Sequence, residues 1–213
     1  MNKKYIGIHR EGWKFFIIFI MFSVFSFFFI KTLSFIFICL SLFTLWFFRD
    51  PERDFDSHYN QVLSAADGKI CFIGEDTPPG ETDINEKMSK ISIFMNVFNV
   101  HINRSPVYGT IEKIIYKNGK FFNASLDKAS EYNERNSFII NSDEDKIVVV
   151  QIAGLIARRI LSFISEGHKI DKGDRIGLIR FGSRVDIYLP SNYQIKVNQN
   201  DIVVAGKTVI AKR

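Results

Sequence analysis

The chain has 213 residues, a formal net charge of +5 and an isoelectric point near 9.1, and 46% of its residues are apolar. That length suits one compact domain plus an appendage. The modest charge, with no basic block interleaved with aromatics, argues against a nucleic-acid partner and suits an anionic membrane surface. Two cysteines, Cys39 and Cys71, make neither a disulfide framework nor a metal-ligand set, so the sequence points to a reducing compartment and to no metal.

Residues 1–14 are polar and basic, with Lys3, Lys4, Arg10 and Lys14. Phe15 to Ile30 then runs almost without a polar side chain, Lys31-Thr32 interrupts, and Leu33 to Phe48 resumes. Each half is about sixteen residues, roughly 24 Å as helix against a bilayer core of about 30 Å. One continuous helix would be too long and would carry Lys31 inside, so the pattern predicts two short helices in a membrane-associated hairpin. Its length is compatible with crossing the bilayer or with dipping into one leaflet. A cleaved signal peptide fits the pattern poorly, because the apolar stretch is too long and no small-residue cleavage site follows. Basic residues flank both ends, with Arg49 and Arg53 after the stretch, so both ends are expected on the cytoplasmic side of a cell membrane. Pro51 ends the helical pattern, which sets the expected boundary between a hairpin of residues 1–48 and a domain of residues 49–213.

From Gln61 onward the texture is short β segments. Val62 to Ala66 and Lys69 to Ile73 flank Asp67-Gly68, a hairpin signal, and Asn118-Gly119 is a second. Further strands are expected at 91–95, 107–116, 121–123, 138–141, 147–152, 157–164, 175–180, 185–189, 193–197 and 208–211. Pro78-Pro79-Gly80 and the acidic run from Glu81 to Glu86 read as an exposed loop. No long helical period follows the hairpin, so the second domain is expected to be mainly β, barrel- or sandwich-like.

Gly182-Ser183 interrupts two strand-like stretches, 176–180 and 185–189. Glycine within a strand marks a bulge or a close backbone approach. It also places an accessible carbonyl directly before a hydroxyl. A serine hydroxyl can attack that carbonyl when the backbone is strained and a base takes its proton. The resulting N→O acyl shift gives an ester. Elimination from the ester cuts the chain and leaves dehydroalanine, which hydrolyses to a pyruvoyl group. Elsewhere, Asp67 sits in Ser64-Ala65-Ala66-Asp67-Gly68-Lys69-Ile70, and His101 in Asn96-Val97-Phe98-Asn99-Val100-His101-Ile102-Asn103-Arg104-Ser105-Pro106. His9, His58 and His168 lie outside any such setting. Ser183, His101 and Asp67 are the elements of a constellation in which His accepts the hydroxyl proton and Asp fixes its tautomer.

The stretch from Lys172 to Pro190, centred on Arg180-Phe181-Gly182-Ser183-Arg184-Val185-Asp186-Ile187-Tyr188-Leu189-Pro190, resembles the cleavage region of the short-type, pyruvoyl-dependent phosphatidylserine decarboxylase proenzymes. The Asp67 and His101 segments are similar to two further motifs of that family, and Gln151 to Ile160 to the segment ahead of its cleavage site, where pocket lining is expected. The resemblance implies self-cleavage between Gly182 and Ser183 into a β chain, 1–182, and an α chain, 183–213. It implies a covalent pyruvoyl group derived from Ser183 and a carboxy-lyase that forms a Schiff base with phosphatidylserine, yielding phosphatidylethanolamine and CO2. Asp67 would support self-cleavage. Longer members carry two histidines three residues apart, whereas this chain has His101 at the first place and Arg104 at the second. His101 would then serve self-cleavage, decarboxylation or both, with Arg104 supplying only charge, because arginine is no practical base at neutral pH. The expected assembly is a heterodimer of the chain's own α and β pieces, with further dimerisation open. Two other readings remain at this stage: a decarboxylase of another serine phospholipid, and a non-catalytic, membrane-tethered β module.

Overall fold

The computed structural model describes residues 7–54, 58–120, 132–143, 145–154, 159–180 and 183–213. The chain divides into two compact units, Met1–Glu52 and Arg53–Arg213. The division falls four residues later than Pro51-based reasoning places it. The amide of His9 donates to the Phe48 carbonyl at 2.8 Å and that of Asp50 to the Gly7 carbonyl at 2.8 Å, and Ile8 and Arg49 form an antiparallel bridge. These bonds tie the segment after the second helix back to the start of the first.

In the first unit α1 (Arg10–Phe27) and α2 (Lys31–Phe47) form an antiparallel pair. Their burial is inverted relative to a helix pair in water. The buried positions include Gly12, Ser23 and Ser26 on α1 and Ser34, Ser41 and Thr44 on α2, whereas Met21, Phe25, Phe28, Phe29 and Phe35 are exposed. Ser23 Oγ meets the Ser34 carbonyl at 3.0 Å and the Ser34 hydroxyl at 2.9 Å. Ser26, Ser41 and Thr44 return their hydroxyls to carbonyls of their own helices. Small residues in the seam and large apolar ones outside are the packing that suits a lipid surround. Among the described residues no helix is long and apolar enough to cross a membrane.

The second unit is mainly β. Its strands are β1 (Gln61–Leu63), β2 (Gly68–Asp76), β3 (Met88–Met95), β4 (Ile102–Arg104), β5 (Gly109–Lys117), β6 (Arg135–Ser142) and β7 (Asp145–Ala153), then β8 (Ile160–Ser162), β9 (Lys169–Ile170), β10 (Arg175–Ile179), β11 (Ser183–Leu189), β12 (Gln194–Ile195), β13 (Ile202–Val203) and β14 (Val209–Lys212). A curled eight-stranded sheet runs β13-β2-β3-β11-β7-β6-β5-β9, and two three-stranded sheets run β4-β10-β8 and β1-β14-β12. Every described pairing between named strands is antiparallel. Ile70, Ile93, Val185, Ile187, Val149 and Phe138 belong to the main core. The alternate residues Val148, Val150, Ile152 and Tyr188 form a second apolar cluster with Met88. β11 lies at the centre, and all seven of its residues are buried.

Both expected two-residue hairpins are absent, because long-range pairing overrides local turn chemistry. β1 pairs with β14 and β2 with β3 and β13, so Asp67-Gly68 ends a connection instead of turning a hairpin. β5 meets β6 at Lys117 opposite Arg135, which puts Asn118-Gly119 at the start of a long connection. The expected strand at 121–123 lies outside the described residues. The acidic loop is partly tucked in. Thr82 is buried, Arg135 donates to both oxygens of Glu81, and Lys90 bonds Asp76 at 2.6 Å. Burial pushes the Glu81 carboxyl up, and the Arg135 hydrogen bonds lead the effects that bring it below the usual range.

Gly68 shows how closely β2 and β3 approach. A Cβ there would lie 2.2 Å from the Phe94 carbonyl oxygen, a backbone atom that cannot swing aside. Gly68→Ala is therefore expected to cost about 1–3 kcal/mol, the usual range for overpacking, read as a lower urea midpoint. An unchanged midpoint would show that the strands can part there freely.

Candidate active site

Ser183 is the first residue of β11, whereas β10 ends at Ile179 in a different sheet. The chain thus passes between two sheets in three residues. Gly182, with Phe181, lies outside the described residues. Ser183 is fully buried and stands in register with Met95 of β3 on one side and Ala153 of β7 on the other. Its Oγ donates to Met95 Sδ at 3.4 Å, and a thioether is a weak acceptor.

His101 comes from the connection that leaves β3 immediately after Met95. Asn96 and Asn99 build a tight turn there: the Asn96 amide donates to Asn99 Oδ1 at 2.9 Å and the Phe98 amide to Asn96 Oδ1 at 2.8 Å. The chain then enters β4, whose Ile102 and Asn103 pair with Leu178 and Gly177 of β10. The Ile179 amide donates to the His101 carbonyl at 3.3 Å, which lays the histidine beside the strand that leads into Ser183. His101 is fully buried, and its Nδ1 lies 3.0 Å from the Asn99 carbonyl oxygen. That oxygen can only accept, so in this bond Nδ1 carries the proton; in the neutral ring Nε2 is then the acceptor nitrogen, the tautomer a general base requires.

Asp67 leads into β2, next to the same end of the eight-stranded sheet. Its neighbour Ala65 accepts from the Arg104 amide at 2.9 Å, fastening the segment to the end of β4. The Asp67 carboxylate does not bond His101, as a Ser-His-Asp relay would have it. Arg53 Nη1 and Nη2 grip its two oxygens at 2.6 and 2.8 Å, and the Ala205 amide adds a third bond at 2.8 Å. The Asn99 carbonyl thus takes the tautomer-setting place expected of Asp67. Arg104 is buried and donates to the Gly173 carbonyl at 2.9 Å.

Topology therefore brings the Asp67, His101 and Ser183 segments to one end of the β unit without joining the three side chains in a hydrogen-bonded row. Sequence reading missed Arg53, counted only as a basic flank of the hairpin. A cavity of about 410 Å³ lined by Phe72, Lys90, Arg135, Arg184 and Tyr188 lies elsewhere, among residues that alternate in register with Ser183 and so face the opposite side of the sheet. Arg184 there is locked to Asp186 at 2.6 and 2.9 Å.

The β unit thus gathers three motif segments near one buried serine, at a switch between sheets. Comparison places it further. The profile of the phosphatidylserine decarboxylase family matches residues 40–211. A phosphatidylserine decarboxylase proenzyme of Xanthobacter autotrophicus is 48% identical over 211 residues, covering 99% of this chain and 91% of that protein. One of Azorhizobium caulinodans is 49% identical over 217 residues, with the same coverage of each. The chain belongs to the phosphatidylserine decarboxylase family.

The Arg53–Asp67 pair is largely buried, with side-chain exposures of 6% and 13%. Removing one partner strands a charge, so Arg53→Met is expected to cost about 3–5 kcal/mol, measured by urea unfolding of the detergent-solubilised chain. A loss below about 1 kcal/mol, the size of an exposed pair, would contradict the buried, bidentate arrangement.

Proposed function

We propose that this chain is a proenzyme that cuts itself between Gly182 and Ser183 and then decarboxylates phosphatidylserine to phosphatidylethanolamine and CO2. The observation that carries the reading is the placement of Ser183 at the head of the central strand, in a chain nearly half identical to the two named proenzymes. The cut gives a β chain, 1–182, and an α chain, 183–213. They stay together because β11 remains laddered to β3 and β7, and β14 to β1.

The site residues fit a pyruvoyl group made from Ser183. Conversion removes the serine hydroxyl, and here that hydroxyl is spent on a thioether, so no strong hydrogen bond is lost. When present, the group supplies an electron sink for the loss of CO2. The protein does the rest. His101 takes the Ser183 hydroxyl proton through Nε2, with Nδ1 held by Asn99. Asp67, gripped by Arg53 and the Ala205 amide, pins the 64–67 segment beside Ala205, while the Ala65 carbonyl fastens it to the end of β4. The apolar surroundings of Met95 and Ala153 keep water from Ser183.

The helical unit serves as a membrane anchor. Its large apolar side chains face outward along both helices, and Phe28 and Phe29 at the tip are 77% and 72% exposed. At the open end Arg49 stacks over Trp46 at 4.0 Å and Trp13 is exposed, a pairing of aromatic and basic groups suited to the headgroup level. With its basic flanks, that end lies on the cytoplasmic side of the cell membrane, which keeps the enzyme beside its lipid substrate.

The purified protein is expected to run as two chains on a denaturing gel, whereas Ser183→Ala stays whole and inactive. An intact chain in an active preparation would sink the mechanism, and an intact chain without activity would favour a non-catalytic tethered module. The protein should also stay with membranes through a high-salt wash and leave only with detergent. Release by salt would mean that exposed charges hold it, since these are screened over about 8–10 Å at physiological ionic strength.

A further inference from the structure

The cavity on the face of the sheet opposite Ser183 takes no part in self-processing. Its volume, about 410 Å³, lies in the range of small-molecule sites. Three cations line it, Lys90, Arg135 and Arg184, against one acid, Asp76. All three are buried. Arg135 is matched by Glu81, whose two oxygens it grips. The other two converge on a single fully buried carboxylate: Asp186 Oδ2 accepts from Arg184 Nη2 at 2.9 Å and lies 3.6 Å from Lys90 Nζ. The charge of Lys90 is therefore balanced by Asp76, at 2.6 Å, whose own side chain is 48% exposed.

Two donors in this wall have no acceptor. Arg184 commits Nε and Nη2 to Asp186, and among the described residues its Nη1 has no partner. Tyr188, 2% exposed, stands opposite Lys90 in the ladder of β11 with β3, and its hydroxyl likewise has none. Neither atom is sealed in protein, so both open on the cavity their residues line. Burial, with the Asp186 charge beside it, pushes the Tyr188 phenol up, so the hydroxyl keeps its proton and donates. Buried donors without acceptors are costly unless a ligand completes them. An anion with several oxygens can accept from Arg184 Nη1, Tyr188 Oη and Lys90 Nζ together, taking the place of Asp76 on Lys90. The wall also includes Phe72, Pro78 and Pro79, which suit an apolar portion of the same ligand.

We propose that this cavity is a ligand site separate from Ser183, which binds an organic phosphate through Arg184, Tyr188 and Lys90. A soluble phosphate ester and a phospholipid headgroup offer the same chemistry. The site stands whether or not Ser183 is the processing residue.

The test is a calorimetric titration of the full chain in nonionic detergent with two probes, phenyl phosphate for the soluble ester and dihexanoylphosphatidylglycerol for the headgroup. At least one should bind saturably, and which one binds identifies the source. Tyr188→Phe should weaken that binding about tenfold, the size of one hydrogen bond to a charged group. Asp76→Asn should tighten it about two- to fivefold, because the competing carboxylate is gone while the part-exposed pair it formed with Lys90 contributed little. A purely structural role for Asp76 would give no such gain. Benzyl alcohol, which lacks the charge, should not displace either probe. If Tyr188→Phe fails to fold, Asp76→Asn alone decides. The proposal is overturned if neither probe binds saturably, or if benzyl alcohol displaces the one that does. It is equally overturned if Tyr188→Phe weakens binding by less than about threefold, short of a charged hydrogen bond, or if Asp76→Asn binds no more tightly than wild type.

Discussion

β11 is hydrogen-bonded along both edges, to β3 from Ser183 to Leu189 and to β7 from Ser183 to Tyr188. The rest of the β unit depends on that double ladder. It fixes the backbone of Ser183 between Met95 and Ala153 while the residues just before it belong to another sheet. A break ahead of Ser183 therefore severs a crossing between sheets and leaves the central strand laddered on both sides. The same ladder sorts side chains by parity. Ser183, Val185, Ile187 and Leu189 share one face of the strand, and Arg184, Asp186 and Tyr188 share the other. The charged groups around Arg184 and the 410 Å³ cavity are thus kept away from the serine hydroxyl.

The two units sort their side chains in opposite ways. The β unit buries Ile, Val and Phe and pairs its buried charges, as Arg53 does with Asp67 and Arg184 with Asp186. The helical unit buries serines, threonine and glycine and exposes phenylalanines. Helix association in lipid draws on close packing and hydrogen bonds instead of the hydrophobic effect, and Ser23 against Ser34 supplies both.

The hairpin was legible because it rests on composition: two apolar runs broken by Lys31-Thr32 became α1 and α2 within a few residues. The longer strands were legible for a similar reason, their β-branched runs being local. The partners were not. Asp-Gly and Asn-Gly are good turn formers, yet neither closes a hairpin, since β1 found β14 and β5 found β6 across distances that local chemistry does not encode. β4, β9 and β13 span only two or three residues, too few to show a period. At the site, three motifs marked where Asp67, His101 and Ser183 stand in the chain. They did not reveal that Arg53 holds Asp67 or that a backbone carbonyl sets the histidine tautomer. Those bonds follow from how the segments cross in space.

The mass of the small chain tests the central claim most directly. If Ser183 heads the α chain and becomes its pyruvoyl group, intact-mass spectrometry of the purified protein should find residues 183–213 lighter than the plain peptide by one ammonia, with no free amino terminus. A fragment with an unmodified serine at its head would contradict the account, as would a cut at any other bond.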